Sequence, residues 1–394
     1  MGSKIAHWVR VMLAAGAVAA LVAGCGAVQQ HAAARRKPVT SLQAAPQVAG
    51  RASHTTRYLR AAVTAYDRGS AWWDPRRRWY RQFLPGHGGG TATMWGIVHL
   101  FGATNAIALA DPTPAHVAAA KTFANAAERY WNPDLRPVPA YGPSPGSSGP
   151  DHRTWYDDEA WWGVAFYDAF RATGDRHYLA SAARSLRFVD SGWDPKQGGI
   201  FWDNRRTFKS SESLAGGTLT AAALYQATHD PRYLQIAQKY IAWADATIKG
   251  EDGLYGARST PAVPMAYVEG PMAEALLRLC KATGTRSYCS AGEQLMRRTA
   301  ARFPVLQQGP QYDAIYLRSV VQIYRMDHNP RWYAIVARAA DEALAHAANA
   351  RGLYLNLWDG RPITAIGAPA DKLQTHAATT SVLAWLAAAT PRSA

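Results

Sequence analysis

A short turn motif occurs four times between residues 172 and 329. The copies begin at Ala172, Ala227 and Ala282 and, in a looser form, at Met326. Each turn leads to a Tyr or Trp, and these aromatic residues lie 55, 55 and 44 positions apart. Because every copy separates an apolar segment from an amphipathic one, the repeating unit is predicted to be a helical hairpin. Tandem hairpins of this length share one core by packing side by side.

The two helices of a hairpin differ in where their apolar residues lie. The second helix of one copy carries a single stripe at three-to-four spacing, formed by Tyr233, Ile236, Ala237, Tyr240, Ile241 and Ala244. The preceding helices, such as residues 214–226 and 270–279, are apolar on more than one face, which indicates burial on both sides. Strands should be scarce. The first two hairpins are expected at about 54–80 and 91–131.

A closed ring explains these two helix types better than an open stack, whose two ends would need polar caps. The length left after the N-terminal segment accommodates six to seven hairpins of this period. We therefore predict an all-α fold, specifically an α/α toroid: a six-hairpin double ring with doubly buried inner helices and amphipathic outer helices. The aromatic links between hairpins should gather at one end of the ring.

The first 53 residues have the features of a targeting segment and a linker. Lys4 and Arg10 are followed by an apolar run over residues 11–22 that is too short to span a membrane. Leu-Val-Ala-Gly-Cys at 21–25 resembles a bacterial lipoprotein cleavage site. We predict a lipoprotein signal peptide at 1–24 with lipidation of Cys25, and the alternative is a plain secretory signal.

These features predict the organisation and location of the protein. Residues 25–53, rich in Ala, Gln and Pro, are expected to form a flexible tether to a toroid domain at 54–394. The protein should be extracytoplasmic, lipid-anchored to the outer face of the bacterial cell membrane. The formal net charge is +15, and the first 60 residues hold eight Lys and Arg and no acid. This basic segment suits anionic lipid headgroups; we see no nucleic-acid motif and expect a monomer.

Two cysteines remain in the domain, Cys280 and Cys289. Outside the reducing cytoplasm they can form a disulfide that closes a helix–helix connection, and two free buried thiols are the alternative. No Cys or His spacing is typical of a zinc site, and we predict no metal.

Two adjacent acids, Asp157 and Asp158, precede the first clear repeat. Successive helical residues point about 100° apart, so the two carboxylates can address different sides of one substrate bond. Their expected separation suits the ~5–5.5 Å of retaining glycosidases, and mutual repulsion should leave one acid protonated. The alternative is an ordinary helix start that the helix dipole favours. The aromatic residues around the pair are Trp155, Tyr156, Trp161 and Trp162.

Seven further side chains are candidates for sugar contact, because aromatic faces stack on sugar rings and acids accept hydrogen bonds from hydroxyl groups. The aromatic residues can instead pack in the core, and the acids can instead be helix-start residues. The candidates are Trp95, Trp161, Trp162, Trp202, Tyr267, Glu269 and Asp313.

The acid pair and its surroundings resemble glycoside hydrolase family 76. Residues 156–163, Tyr-Asp-Asp-Glu-Ala-Trp-Trp-Gly, are similar to the family's Tyr-Asp-Asp-x-x-Trp-Trp-Gly segment. The Thr-Gly-Asp turn at 173–175 and the Gly-Trp-Asp link at 192–194 are similar as well. The chain differs from the family where Glu269 replaces a usual Gln and at 312–314, two positions that bear on linkage and subsites.

This resemblance, over roughly residues 55–385, implies an α/α toroid that needs no cofactor and acts as an endo-α-1,6-mannanase. Asp157 would be the nucleophile and Asp158 the general acid/base of a retaining reaction on α-mannan or a mannose-containing envelope lipoglycan. One alternative is a mannan transglycosidase of the same fold. Others are a different toroid enzyme, such as a sugar epimerase or unsaturated-uronide hydrolase, and a non-catalytic glycan-binding lipoprotein.

Overall fold

The computed structural model describes residues 57–256, 264–306 and 308–389. The predicted signal peptide, the lipidated Cys25 and the tether lie outside these residues. The described residues form twelve α-helices that alternate between two concentric rings. The inner helices are α2 (Met94–Ala110), α4 (Tyr156–Thr173), α6 (Ser211–Thr228), α8 (Ala266–Thr283), α10 (Pro310–Asp327) and α12 (Leu373–Ala389). The outer helices are α1 (Arg57–Arg68), α3 (Pro114–Ala127), α5 (His177–Ser191), α7 (Pro231–Thr247), α9 (Arg286–Arg302) and α11 (Pro330–Glu342).

The inner ring closes between its first and last members. Each inner helix packs against the next one along the chain, and α12 packs against α2. Helix α1 packs against α12 as its outer partner. The first and last of the described helices therefore form the sixth pair of inner and outer helices. The expectation of a hairpin at about 54–80 is therefore wrong, whereas the prediction of a six-hairpin α/α toroid is confirmed.

Burial explains why the two rings have different sequences. In the inner helix α6, every residue from Ser211 to Leu224 is buried, because one side faces the outer ring and the other faces the ring axis. In the outer helix α7, the buried residues are Ala237, Tyr240, Ile241 and Ala244, which lie on one stripe.

The repeated turn ends each inner helix and starts the following outer helix. Its middle residue adopts the left-handed conformation, with φ of 73° at Gly174, 55° at His229, 70° at Gly284 and 56° at His328. The backbone N–H of this residue bonds a carbonyl of the last helical turn, as in a C-terminal cap. The conformation thus explains why Gly occupies two of the four copies.

The links between hairpins hold the few strands. Strand β1 (Trp73–Asp74) pairs antiparallel with β2 (Trp79–Tyr80), and β3 (Trp131–Asn132) with β4 (Ala140–Tyr141). Short 3-10 turns occur at Gly69–Trp72, Glu128–Tyr130 and Ile363–Ile366, and a π-helical turn at Ala343–Ala347 extends α11. Because every link runs from an outer helix to the next inner helix, all inner helices start at the same end of the ring. Across the described ranges, no helix is both long and apolar enough to cross a membrane.

A disulfide joins Cys280, in the last turn of α8, to Cys289, in the first turn of α9. It closes the turn of the fourth sequential hairpin on the outside of the ring.

Candidate active site

The second residues of the six inner helices lie at one end of the ring. Because helix N-termini carry partial positive charge, this end favours anions. Asp157 is one of these residues, and Glu212 and Tyr267 follow it at intervals of 55 positions, the period of the repeat. The six residues are Trp95, Asp157, Glu212, Tyr267, Gln311 and Gln374. Three of them were predicted as site residues from the sequence, together with Asp158 in the next position of α4.

The two adjacent aspartates are almost fully buried, with Asp157 4% and Asp158 7% exposed. Burial and then the charge of Glu212 raise the pKa of Asp157 to about 7, although backbone N–H groups of the first helical turn favour its anion. Burial and then Asp157 itself hold the pKa of Asp158 well above its ordinary value. Because the charge of Asp157 opposes ionisation of Asp158, and backbone N–H groups favour the anion of Asp157 alone, these surroundings favour the anion on Asp157 and the proton on Asp158.

Two tryptophans flank the pair, and both remain half-buried. The indole of Trp202 lies near Asp157 and lowers the pKa of that carboxyl, although its N–H forms no full hydrogen bond among the described residues. The indole of Trp95 has the same effect on Asp158. Trp95 and Trp202, which were predicted as sugar contacts, thus each lie beside an acid and are only partly buried.

Glu212 is a site residue that the sequence analysis missed. It is 2% exposed, and the Ser210 hydroxyl donates a 2.7 Å hydrogen bond to its Oε2 atom. Ser210 also accepts the backbone N–H of Ser213, so the residue that caps α6 orients the acid as well. The spacing of 55 residues from Asp157 was the signal that could have identified it.

Close packing of α4 and α6 brings these acids together. A Cβ atom added to Gly216 would lie 2.6 Å from the Cβ of Ala160, so only Gly allows this approach. The Thr220 hydroxyl donates to the Ala160 carbonyl at 3.1 Å. Ala160 and Gly216 lie about one helical turn after Asp157 and Glu212, and the two acids therefore face the same space at the helix starts.

Tyr267 and Tyr312 form the opposite wall of the site. The Trp161 indole N–H donates a 2.5 Å hydrogen bond to the Tyr267 hydroxyl. The Trp95 ring centroid lies 6.1 Å from that of Tyr267 and 5.9 Å from that of Tyr312. Burial and then the charge of Asp157 raise the pKa of both tyrosines, which keeps their hydroxyl groups protonated as hydrogen-bond donors. Trp161 is 2% exposed, and its observed contact is with Tyr267.

Trp162 belongs to the core between the rings, which corrects its prediction as a sugar contact. The residue is fully buried, and its ring centroid lies 5.0 Å from Tyr130 and 5.4 Å from Tyr141. At 100° per residue, Trp161 points about 40° from Asp157 on α4, whereas Trp162 points about 140° away. Trp162 thus faces the outer ring and has no exposed face for a sugar.

Glu269 and Asp313 also have structural partners in place of an open site. Both are fourth residues of inner helices, as is Glu159 in α4. The Tyr255 backbone N–H donates to Glu269 at 2.9 Å, and the Tyr141 backbone N–H donates in the same way to Glu159. The Trp358 indole N–H donates to Asp313 at 2.9 Å. These acids hold the links against the ring, and their prediction as sugar ligands is corrected accordingly.

Within the described ranges, no group of three or more His, Cys, Asp and Glu side chains is arranged to hold a metal ion. The arrangement places two adjacent carboxyl groups, which can serve as an anion and a proton donor, beside half-buried indoles.

Comparisons with known proteins agree with the fold. Residues 145–313, which include the acid pair, match the sequence model of Glycosyl hydrolase family 76. A family 76 α-mannanase from Bacteroides thetaiotaomicron superposes with a TM-score of 0.72 at 20% identity, over 84% of this chain and 94% of that one. A search of curated protein sequences finds no match.

Two other solved structures are similar. An inactive variant of an α-1,6-mannanase from Salegentibacter sp. HEL1_6, with two consecutive aspartates changed to asparagine, is bound to α-1,6-mannotriose. It has a TM-score of 0.68 at 16% identity and matches over 84% of this chain and 100% of that one. Dfg5 from Chaetomium thermophilum, in complex with glucosamine, has a TM-score of 0.66 at 14% identity, over 84% and 90%. Residues 145–313 of this chain match the sequence model of glycosyl hydrolase family 76, and the complete ring of hairpins has the fold of the family 76 structures.

Proposed function

We propose that this protein hydrolyses α-1,6-mannosidic bonds in mannan or an envelope lipoglycan, with retention of anomeric configuration. The observation that carries the proposal is the pair of adjacent buried carboxyl groups, whose surroundings favour the anion on Asp157 and the proton on Asp158. The loss of activity in the Salegentibacter mannanase when two consecutive aspartates are replaced supports the same assignment for this pair.

The reaction has two steps. In the first, a carboxylate oxygen of Asp157 attacks the anomeric carbon while Asp158 gives its proton to the leaving glycosidic oxygen, which leaves a mannosyl ester on Asp157. In the second, Asp158 takes a proton from water, the water oxygen attacks the anomeric carbon, and the ester bond to Asp157 breaks. Both carboxyl groups then have their starting charges.

The surroundings of the pair favour each of these roles. At the end of the second step the bond between Asp157 and the anomeric carbon breaks, and the N-terminus of α4 stabilises the Asp157 carboxylate that is released. Burial makes charge–charge interactions stronger and favours a proton on Asp158. The exposed parts of Trp95 and Trp202 provide apolar faces on which sugar rings can stack on either side of the scissile bond.

Transfer of mannan chains is the second candidate function, and the burial of the acids favours it. With Asp157 4% and Asp158 7% exposed, bulk water has limited access to the mannosyl ester, and a bound acceptor hydroxyl can take its place. The first step of the reaction is unchanged. Only the identity of the attacking hydroxyl group differs.

The test is product analysis after incubation with linear α-1,6-mannan, with and without added α-1,6-mannotriose as acceptor. Hydrolysis predicts short oligosaccharides and new reducing ends in both reactions, and proton NMR should show the α-anomer as the first product. Transfer predicts elongated acceptor with few new reducing ends. A protein that binds mannan and gives neither product would contradict the proposal and indicate a glycan-binding lipoprotein.

We also propose that Cys25 is lipidated and that the enzyme lies on the outer face of the cell membrane, on the basis of the sequence at 21–25. Labelling of expressing bacteria with a palmitate analogue tests this. Label in the intact protein and its loss in Cys25→Ser would support the proposal, and unlabelled intact protein in the membrane-free culture medium would contradict it.

A further inference from the structure

Four arginine side chains meet at the end of the ring opposite the acid pair. Arg171 lies in the last turn of α4, Arg278 in α8, and Arg318 and Arg325 in α10. The charges of Arg171, Arg278 and Arg318 each lower the pKa of Arg325, and Arg278 and Arg318 share Glu274, so the four side chains form one cluster. The cluster lies towards the C-terminal ends of the inner helices, away from the acids at their N-terminal ends.

Two carboxylates neutralise two of these guanidinium groups. Arg318 bridges them, with contacts of 2.6 Å to Asp168 and 3.0 Å to Glu274. Arg278 pairs with Glu274 at 2.8 Å and donates to the Gln226 side chain at 2.6 Å. In this part of the cluster each guanidinium has a carboxylate partner, which is what a stable interior requires of charged groups. The Asp168 Oδ1 atom has no hydrogen-bond partner among the described residues.

The remaining two arginines leave the cluster with two excess positive charges. Arg171 lies 3.5 Å from Asp168, whose other oxygen is already paired with Arg318. Arg325 forms no ion pair within the described ranges, and its Nη1 atom is buried without a hydrogen-bond partner. Burial and then the charge of Arg171 lower the pKa of Arg325 to about 10.

A second unfilled donor lies beside this excess charge. The Arg171 guanidinium donates a 2.8 Å hydrogen bond to the Oε1 atom of Gln322. The Nε2 atom of Gln322 is buried without a partner among the described residues. The partial negative charge at helix C-termini favours cations here, but it gives no hydrogen-bond acceptor to either donor. Burying an unpaired donor destabilises the folded protein, and more so when the donor is charged.

We propose that Arg325, Arg171 and Gln322 bind a small tetrahedral oxyanion, of the phosphate or sulfate class. Such an anion supplies several acceptor oxygens to the unfilled donors and neutralises the excess charge, and guanidinium groups bind it in a bidentate manner. Solvent reaches the site, because the Arg171 side chain is 21% exposed and Arg325 is half-buried. The site is separate from the acid pair and does not depend on the proposed glycosidase activity.

Calorimetric titration of the folded protein with inorganic phosphate, in sodium chloride of matched ionic strength, tests the proposal. We expect saturable binding of one phosphate that weakens at least about tenfold in Arg325→Gln and persists in Arg297→Gln, which removes an arginine that is 52% exposed on α9. Titration with glycerol phosphate distinguishes two kinds of ligand. Binding of this ester would indicate an open site for a phosphate carried on a larger molecule, and binding of inorganic phosphate alone would indicate a site for the free ion.

A second readout keeps the test independent of the Arg325 variant. Gln322→Leu removes the neutral donor without changing the charge, and it should also weaken phosphate binding. Saturable phosphate binding should raise the melting temperature of the intact protein more than that of Arg325→Gln. The proposal is overturned if intact protein shows no saturable binding, or if phosphate binds equally to the intact protein, Arg325→Gln and Gln322→Leu.

Discussion

Asp157 and Glu212 occupy the same position, the second residue, of neighbouring inner helices, one repeat of 55 residues apart. Helices α4 and α6 touch at Ala160 and Gly216, about one turn further along, so the two carboxyl groups share one buried space. The negative charge of Glu212 opposes a second negative charge on Asp157. Glu212 is therefore a positioning residue that helps to set the pH at which Asp157, the proposed nucleophile, becomes an anion.

Replacing Glu212 with Gln should move the ascending limb of the pH–activity profile to lower pH. The change removes a negative charge beside Asp157 and so lowers the pKa of Asp157, which is active as the anion. The measurement is kcat/KM for mannan fragment release across a pH series. Glu212→Asp should keep the original limb, and so should Glu251→Gln, which changes an exposed acid in a link. An unchanged limb in Glu212→Gln would show that Glu212 has no electrostatic role.

Replacing Gly216 with Ala should lower the free energy of unfolding by about 1–3 kcal/mol, because the added methyl group forces α4 and α6 apart. Activity should fall as well, since the same movement separates Asp157 from Glu212. Urea denaturation and fragment release measure the two effects. The matched control is Gly89→Ala, because a Cβ at Gly89 meets no atom within 4 Å and should change neither quantity. Equal stability of the two variants would contradict the close packing described for Gly216.

Glu269 should tolerate Gln but not Ala. The Tyr255 backbone N–H needs an acceptor, which Gln supplies and Ala does not, so Ala should lower the free energy of unfolding by about 1–3 kcal/mol and Gln by much less. Chemical denaturation of both variants measures this. Similar losses in the two variants would indicate that the acceptor is unimportant.

Glu269 also predicts a pH dependence of stability. Burial raises the pKa of Glu269 well above its ordinary value, so the folded protein binds the proton more tightly than the unfolded chain does. The stabilisation that this tighter proton binding gives is complete when the pH is below the pKa of Glu269 in the unfolded chain. It is lost as the pH rises through the pKa of Glu269 in the folded protein. Glu269→Gln should therefore lose less stability than the intact protein as the pH rises, and parallel curves would contradict this.

The ring could be predicted from the sequence because its determinants are local and repeated. The turn at Gly174 and Gly284 needs a left-handed residue, and each outer helix shows its single apolar stripe directly. Which helices close the ring could not be predicted in the same way. Helix α1 finds its partner in α12, at the far end of the chain, and no local pattern joins the two.

The site was only partly predictable for a related reason. Asp157 and Asp158 are adjacent in sequence, so their repulsion is evident without a structure. The role of Glu212 depends on the register between two repeats, which becomes visible only when the helix starts are aligned. Glu269 looked like a site acid because it also lies at a helix start, but its position matches Glu159, two residues after the position of Asp157.

The central claim is that Asp157 and Asp158 perform the two halves of glycosidic bond cleavage. The most direct measurement is the rate of fragment release from linear α-1,6-mannan by the intact protein, Asp157→Asn and Asp158→Asn, with the exposed Asp245→Asn as control. Circular dichroism should show that all four proteins are folded. We predict that kcat falls by about three orders of magnitude or more in each site variant and is unchanged in the control. Activity close to that of the intact protein in either site variant would contradict the account.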